Sequence, residues 1–130
     1  MSTDECLSGK AAELRDKHKG KLWYYTCDIS ETDSILPLLE QAVAKARYPL
    51  RGLVACAGIS DGGASVDFPM DRAKRLLEVN VAGTFACVQA AAKIMHKHED
   101  LSASIVLIAS MSAHGSNKVR YCSSPGLTSC

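Results

Sequence analysis

Ser110 and His114 are the first pair in the chain whose types suggest catalysis, because a serine hydroxyl becomes a nucleophile when a nearby imidazole takes its proton. No acidic orienter for the imidazole is evident, so the pair gives little support to hydrolysis. Gly58, Gly62 and Gly63 follow an apolar run, where a phosphate-cradling loop could sit. Their spacing is not G-x-G-x-x-G and no helix opens directly after them, so the segment reads as a mobile loop. Asp28 closes an aromatic-rich run and could cap the following turn or accept a hydrogen bond from a ligand. His18, His96, His98 and His114 share no ligand spacing. The cysteines at 6, 27, 56, 87, 122 and 130 form no C-x-x-C pair, so no metal site is expected. Cys27, Cys56 and Cys87 lie in apolar segments and read as small buried hydrophobes.

The elements that would position these residues alternate between helix and strand. Residues 7–19 are rich in Ala, Leu, Glu, Lys and Arg, and Gly20 follows as a helix stop. Residues 21–28 (KLWYYTCD) read as a strand. Ser30 to Asp33 gives an S-x-x-D helix start, with Pro37 placing the regular part of that helix near itself. Residues 52–57 (GLVACA) and 104–109 (SIVLIA) are short apolar runs without alternation, which suits strands of a parallel sheet buried on both faces. Between them, residues 70–98 carry an apolar stripe through Ala73, Leu76, Val81, Phe85, Val88 and Met95, the longest helix. Residues 110–130 turn polar and irregular. The fold class is therefore α/β, with three strands and about three helices in one partial, doubly wound, Rossmann-like parallel sheet over residues 1–130. In such sheets ligands bind beyond the carboxyl ends of the strands, here 28–30, 58–63 and 110 onward.

Four stretches occupy those ends in order: CDIS at 27–30, ACAGI at 55–59, NVAGT at 80–84 and IVLIASMS at 105–112. Together they resemble the short-chain dehydrogenase/reductase family over roughly residues 10–121. The resemblance implies a NAD(P)-dependent oxidoreductase that interconverts an alcohol and a ketone by hydride transfer. It implies that Asp28 accepts from the adenine amino group, that Ile29 packs near the ring, and that Ala57 and Gly58 let the backbone approach the cofactor ribose. It also implies that Asn80 interrupts its helix and holds a relay water, that Ser110 binds the substrate oxygen, and that a tyrosine moves the proton, for which Tyr121 is the candidate.

The chain also departs from the family pattern. Cys56 stands where the family has asparagine, which weakens a strand-anchoring hydrogen bond. Pro125 stands where Y-x-x-x-K expects the lysine that lowers the tyrosine pKa, and proline disfavours the helix that should carry both. The glycine-rich pyrophosphate loop has no counterpart in the sequence. In a 3-2-1-4-5 strand order the chain supplies strands three, four and five, so exposed edges and a marginal or aggregation-prone product are expected. The alternative function is a non-catalytic truncated form acting through protein contacts. A flavodoxin-like binding domain ranks third because it leaves NVAGT and IVLIASMS without a role.

Composition agrees with a small-molecule enzyme. The 130 residues carry 15 Lys and Arg against 14 Asp and Glu, a net charge of +1, which gives no footprint for nucleic acid. No apolar run is long enough to cross a bilayer, and the start has no leader pattern, so a cytoplasmic location without a membrane partner is expected. The expected partners are NAD or NADP, a small alcohol or carbonyl substrate and, in the intact family, further copies of the chain.

Overall fold

A computed structural model describes Glu13, Lys17, residues 23–98 and residues 102–110. The elements are α1 (Thr32–Ala44), β1 (Gly52–Ala55), a short 3-10 turn (Ser65–Asp67), α2 (Met70–Leu77), a π-helical turn (Glu78–Gly83), α3 (Thr84–Met95) and β2 (Ser104–Leu107). β1 and β2 pair in parallel, with Gly52 opposite Ser104 and Ala55 opposite Leu107. The ladder runs on beyond both ends, since Ser104 N–H donates to Arg51 O at 3.0 Å and Ile108 N–H to Ala55 O at 3.3 Å. A parallel pair cannot be closed by a hairpin, and the run from α2 to α3 supplies the crossover.

The α/β class and the long helical crossover match the sequence reading, while several details differ. Residues 23–28 carry no ladder, so the described sheet has two strands rather than three. A strand is defined by its partners, and no described strand lies beside this segment, which therefore lacks a ladder whatever its β propensity. α1 starts at Thr32, ahead of Pro37, and Glu31 rather than Ser30 occupies the N-cap position. Ser30 does not cap because its hydroxyl donates to Asp28 and accepts from Arg75. The expected helix over 7–19 and the tail over 110–130 lie outside the described residues except for Glu13, Lys17 and Ser110.

The core is thin and built on small side chains. Ala91 and Ala73 are its most enclosed members, at 0% and 1% exposure, which lets helix backbones approach closely. α1 packs against α3, and α3 against β1. Lys97 joins Glu40 at 3.1 Å across the far ends of the two helices. Leu53 lies with Ile35, Leu39 and Cys87 on the helix side of the sheet. Val54 and Val106, paired across the ladder on its other side, remain 59% and 47% exposed. The strands are thus not buried on both faces as their composition suggests: one side of β1 is half-covered by helix and β2 is exposed along its length. Cys27 and Cys56 are likewise exposed and Cys87 half-buried, not the enclosed hydrophobes expected.

At Gly83 the helix lies against the carbonyl of Ile29, and an added Cβ would stand 2.6 Å from that oxygen. The obstruction is backbone, so it cannot rotate away. Gly83→Ala is expected to lower stability by about 1–3 kcal/mol in urea unfolding, the usual cost of overpacking. Gly62→Ala, where an added Cβ meets nothing within 4 Å, should be near neutral in the same measurement.

Candidate active site

The site begins with a polar residue inside the helical core. Asn80 is 7% exposed and is the buried polar side chain among the described residues. Burying an amide is costly unless its donor and acceptor are both used. Its Oδ1 accepts from Ile59 N–H at 2.8 Å and its Nδ2 donates to Ile59 O at 2.8 Å. The side chain thereby pairs with the loop backbone as a neighbouring strand would. The π-helical turn around it adds a residue to the helix and places Val79, Asn80 and Gly83 together on the inner side. Such turns interrupt the regular i→i−4 ladder and recur at functional sites.

Gly58 sits directly against this clamp, and an added Cβ would lie 3.2 Å from Asn80 Oδ1. Part of the requirement for glycine at 58 is therefore internal, making room for the asparagine. The sequence reading considered only the ligand side of that position.

Ala57, Gly58, Asn80 and Ser110 line one cleft of about 170 Å³ at the carboxyl ends of both strands. Thr84 and Ile108 also line it, and among the described residues no Asp, Glu, Lys or Arg reaches it. Thr84 and Ile108 belong to the stretches NVAGT and IVLIASMS, but neither residue type by itself marks a binding role. The cleft is smaller than the ~300–1,000 Å³ typical of pockets for drug-sized ligands. It suits one ring or a small carbonyl compound, not a whole dinucleotide.

Asp28 and Ile29 stand outside that cleft, in the turn that precedes α1. Asp28 Oδ1 accepts from Ser30 N–H at 2.9 Å and Ser30 Oγ–H at 2.7 Å. These bonds, with the Arg75 charge adding to them, hold its carboxyl below the usual carboxylate range, so it stays ionised at neutral pH. Ile29 presents its carbonyl to Gly83, one turn beyond Asn80. The loop after β1 and the 28–30 turn are thus locked to the same helical segment, by Asn80 and by Gly83. Tyr121 lies outside the described residues.

The glycine-rich loop after β1 is tied down rather than left open. Asp61 pairs with Arg72 of α2, and Gly62 N–H donates to Asp61 Oδ1 at 2.7 Å. Arg72 also lies over the Phe68 ring, 5.2 Å from its centre. Among the described residues no group of His, Cys, Asp and Glu could hold a metal ion, and no helix is long and apolar enough to cross a membrane.

The short chain dehydrogenase family model matches residues 2–126, and the chain belongs to that family. It is 38% identical over 102 residues to a short-chain dehydrogenase/reductase of Aspergillus versicolor, covering 78% of this chain and 35% of that protein. It is equally 38% identical over 102 residues to an NADH-dependent L-xylulose reductase of Ambrosiozyma monospora, covering 77% and 37%. A sorbose reductase of Schizosaccharomyces pombe is 32% identical over 108 residues, with 82% and 42% covered. The chain therefore spans well under half the length of these relatives.

Among solved structures, a short-chain dehydrogenase/reductase from Mycobacterium marinum superposes with a TM-score of 0.75 at 32% identity, covering 82% of this chain and 42% of that one. NAD+-bound xylitol dehydrogenase also gives 0.75, at 24% identity, with 83% and 40% covered, which speaks for the fold alone. The fold is Rossmann-like, as the element order suggests.

The Asn80 clamp yields a direct test. Asn80→Ala leaves the Ile59 N–H and C=O without their partner in a half-buried position, at an expected cost of about 1–3 kcal/mol in urea unfolding. Asn80→Asp should recover little, since a carboxylate cannot donate to the Ile59 carbonyl. Unchanged stability in both variants would contradict the clamp.

Proposed function

We propose that this protein is a NAD- or NADP-dependent oxidoreductase that interconverts an alcohol and a ketone on a small, uncharged substrate. The observation that carries the reading is the cleft at the strand ends, lined together by Gly58, Asn80 and Ser110 and free of charged side chains among the described residues. The residues fit part of a nicotinamide dinucleotide. An ionised carboxylate at Asp28 can accept from the adenine amino group, Ile29 can pack beside the ring, and the cleft can take one ring with its sugar bounded by Ala57 and Gly58. When bound, the nicotinamide supplies or takes the hydride.

The chain's own part is to bind, orient and move a proton. Ser110 donates its hydroxyl to the substrate oxygen, where negative charge grows as the carbonyl is reduced. Asn80 uses its amide on Ile59, so in this reading it holds a relay water through its main chain. Tyr121 is the candidate proton donor, with Pro125 where the family carries its lysine. With no charged side chain among the described residues that line it, the cleft favours an uncharged substrate over an acid or a phosphate. The xylulose and sorbose reductases among the relatives make ketoses and their polyols the first substrates to try.

Titration with NADH, followed by nucleotide fluorescence, tests the reading, with ketose-dependent NADH consumption as the second readout. Saturable micromolar binding is expected. In an active preparation Ser110→Ala should cut turnover by about 10²–10³-fold, the usual loss of one donor to a developing oxyanion, with NADH affinity little changed. No fluorescence enhancement at millimolar NADH or NADPH would overturn the reading and favour a non-catalytic chain acting through protein contacts.

A further inference from the structure

Arg75, on the last turn of α2, reaches across to Asp28, at the turn that precedes α1. Its Nη1 donates to Ser30 Oγ at 2.7 Å, and that hydroxyl donates to Asp28 Oδ1 at 2.7 Å. Its Nη2 faces Asp28 Oδ2 at 3.4 Å. Glu78 Oε2, one turn along the same helix, receives Nη1 at 3.2 Å and steadies the guanidinium. The two oxygens of Asp28 are consequently unequal. Oδ1 already takes two donors from Ser30, whereas among the described residues Oδ2 has only the long contact from Arg75 and keeps the capacity to accept another donor.

We propose that Arg75 is a positioning residue for nucleotide recognition: through Ser30 and Oδ2 it fixes the Asp28 carboxylate so that Oδ2 meets the exocyclic amino group of adenine. The inference rests on the adenine role proposed for Asp28 and extends it to a residue on a different element, 47 positions away in sequence. A planar guanidinium suits the task because two of its nitrogens address Ser30 and Asp28 at once, whereas a lysine offers one point of charge. All the groups lie at the surface, with the Arg75 side chain 48% and the Asp28 side chain 55% exposed, so the arrangement directs a ligand rather than filling the core.

The experiment compares NADH with its deamino analogue, in which hypoxanthine replaces adenine and an acceptor oxygen replaces the donor amino group. Dissociation constants are measured by fluorescence for the full chain, Arg75→Gln, Arg75→Lys and Asp28→Asn. Lys97→Ala, at the far end of the helix pair, serves as the control. The unsubstituted chain should prefer NADH by about tenfold or more, the worth of one hydrogen bond to a charged acceptor. Arg75→Gln should lose most of that preference while binding the deamino analogue as before, Arg75→Lys should keep part of it, and Lys97→Ala all of it. An undiminished preference in Arg75→Gln, or an equal loss for both nucleotides, would overturn the role of Arg75 while leaving Asp28 as the adenine acceptor. No preference in the unsubstituted chain, or an unchanged preference in Asp28→Asn, would remove the adenine role of Asp28 and this inference with it.

Discussion

A buried amide that must satisfy both its donor and its acceptor is the constraint on which the site depends. Asn80 meets it by pairing with both backbone groups of Ile59. This fixes the turn leaving β1 and presses Gly58 against the asparagine. It also holds the wall of the cleft that Ser110 closes from the end of β2. The same helical segment bears on the 28–30 turn at Gly83, where only a missing side chain permits the approach to Ile29. One interrupted helix thus sets the relative positions of the loop after β1 and the 28–30 turn, which packing among small, loosely enclosed side chains would define less sharply.

Charge is distributed to match. Ionic groups gather at the turn before α1, around Asp28, Arg75 and Glu78, and over the glycine-rich loop, where Asp61 meets Arg72. Among the described residues, none reaches the cleft between Gly58 and Ser110. Surface ion pairs of this kind add little stability, typically ~0–1 kcal/mol. Their value here is orientation, holding loops whose own residues are too small and polar to pack.

Much of this was legible in the sequence. Apolar runs at 52–57 and 104–109 without alternation gave parallel strands, and the stripe from Ala73 to Met95 gave the crossover. What sequence could not supply were partners distant along the chain. Ser30 reads as a helix cap, but the turn it closes and Arg75 on α2 claim its hydroxyl. Residues 23–28 have the composition of a strand, but composition cannot create a neighbour to pair with. Gly58 reads as a place for a ligand to approach, and only the fold reveals Asn80 behind it. Residue types marked where chemistry gathers, while the reason each type is required came from residues 20 to 50 positions away, such as Asn80 for Ile59 and Arg75 for Asp28.

Amide hydrogen exchange, with and without NADH, tests most directly whether the strand-end cleft organised by Asn80 is where a nicotinamide nucleotide binds. The Ile59 amide should already exchange slowly in the free chain, because its hydrogen is held by Asn80. NADH should then slow exchange further at residues 57–59 and at 28–30, and leave the Glu40 and Lys97 end of the helix pair unchanged. Rapid exchange at Ile59, or protection by NADH confined to regions away from both strand ends, would contradict it.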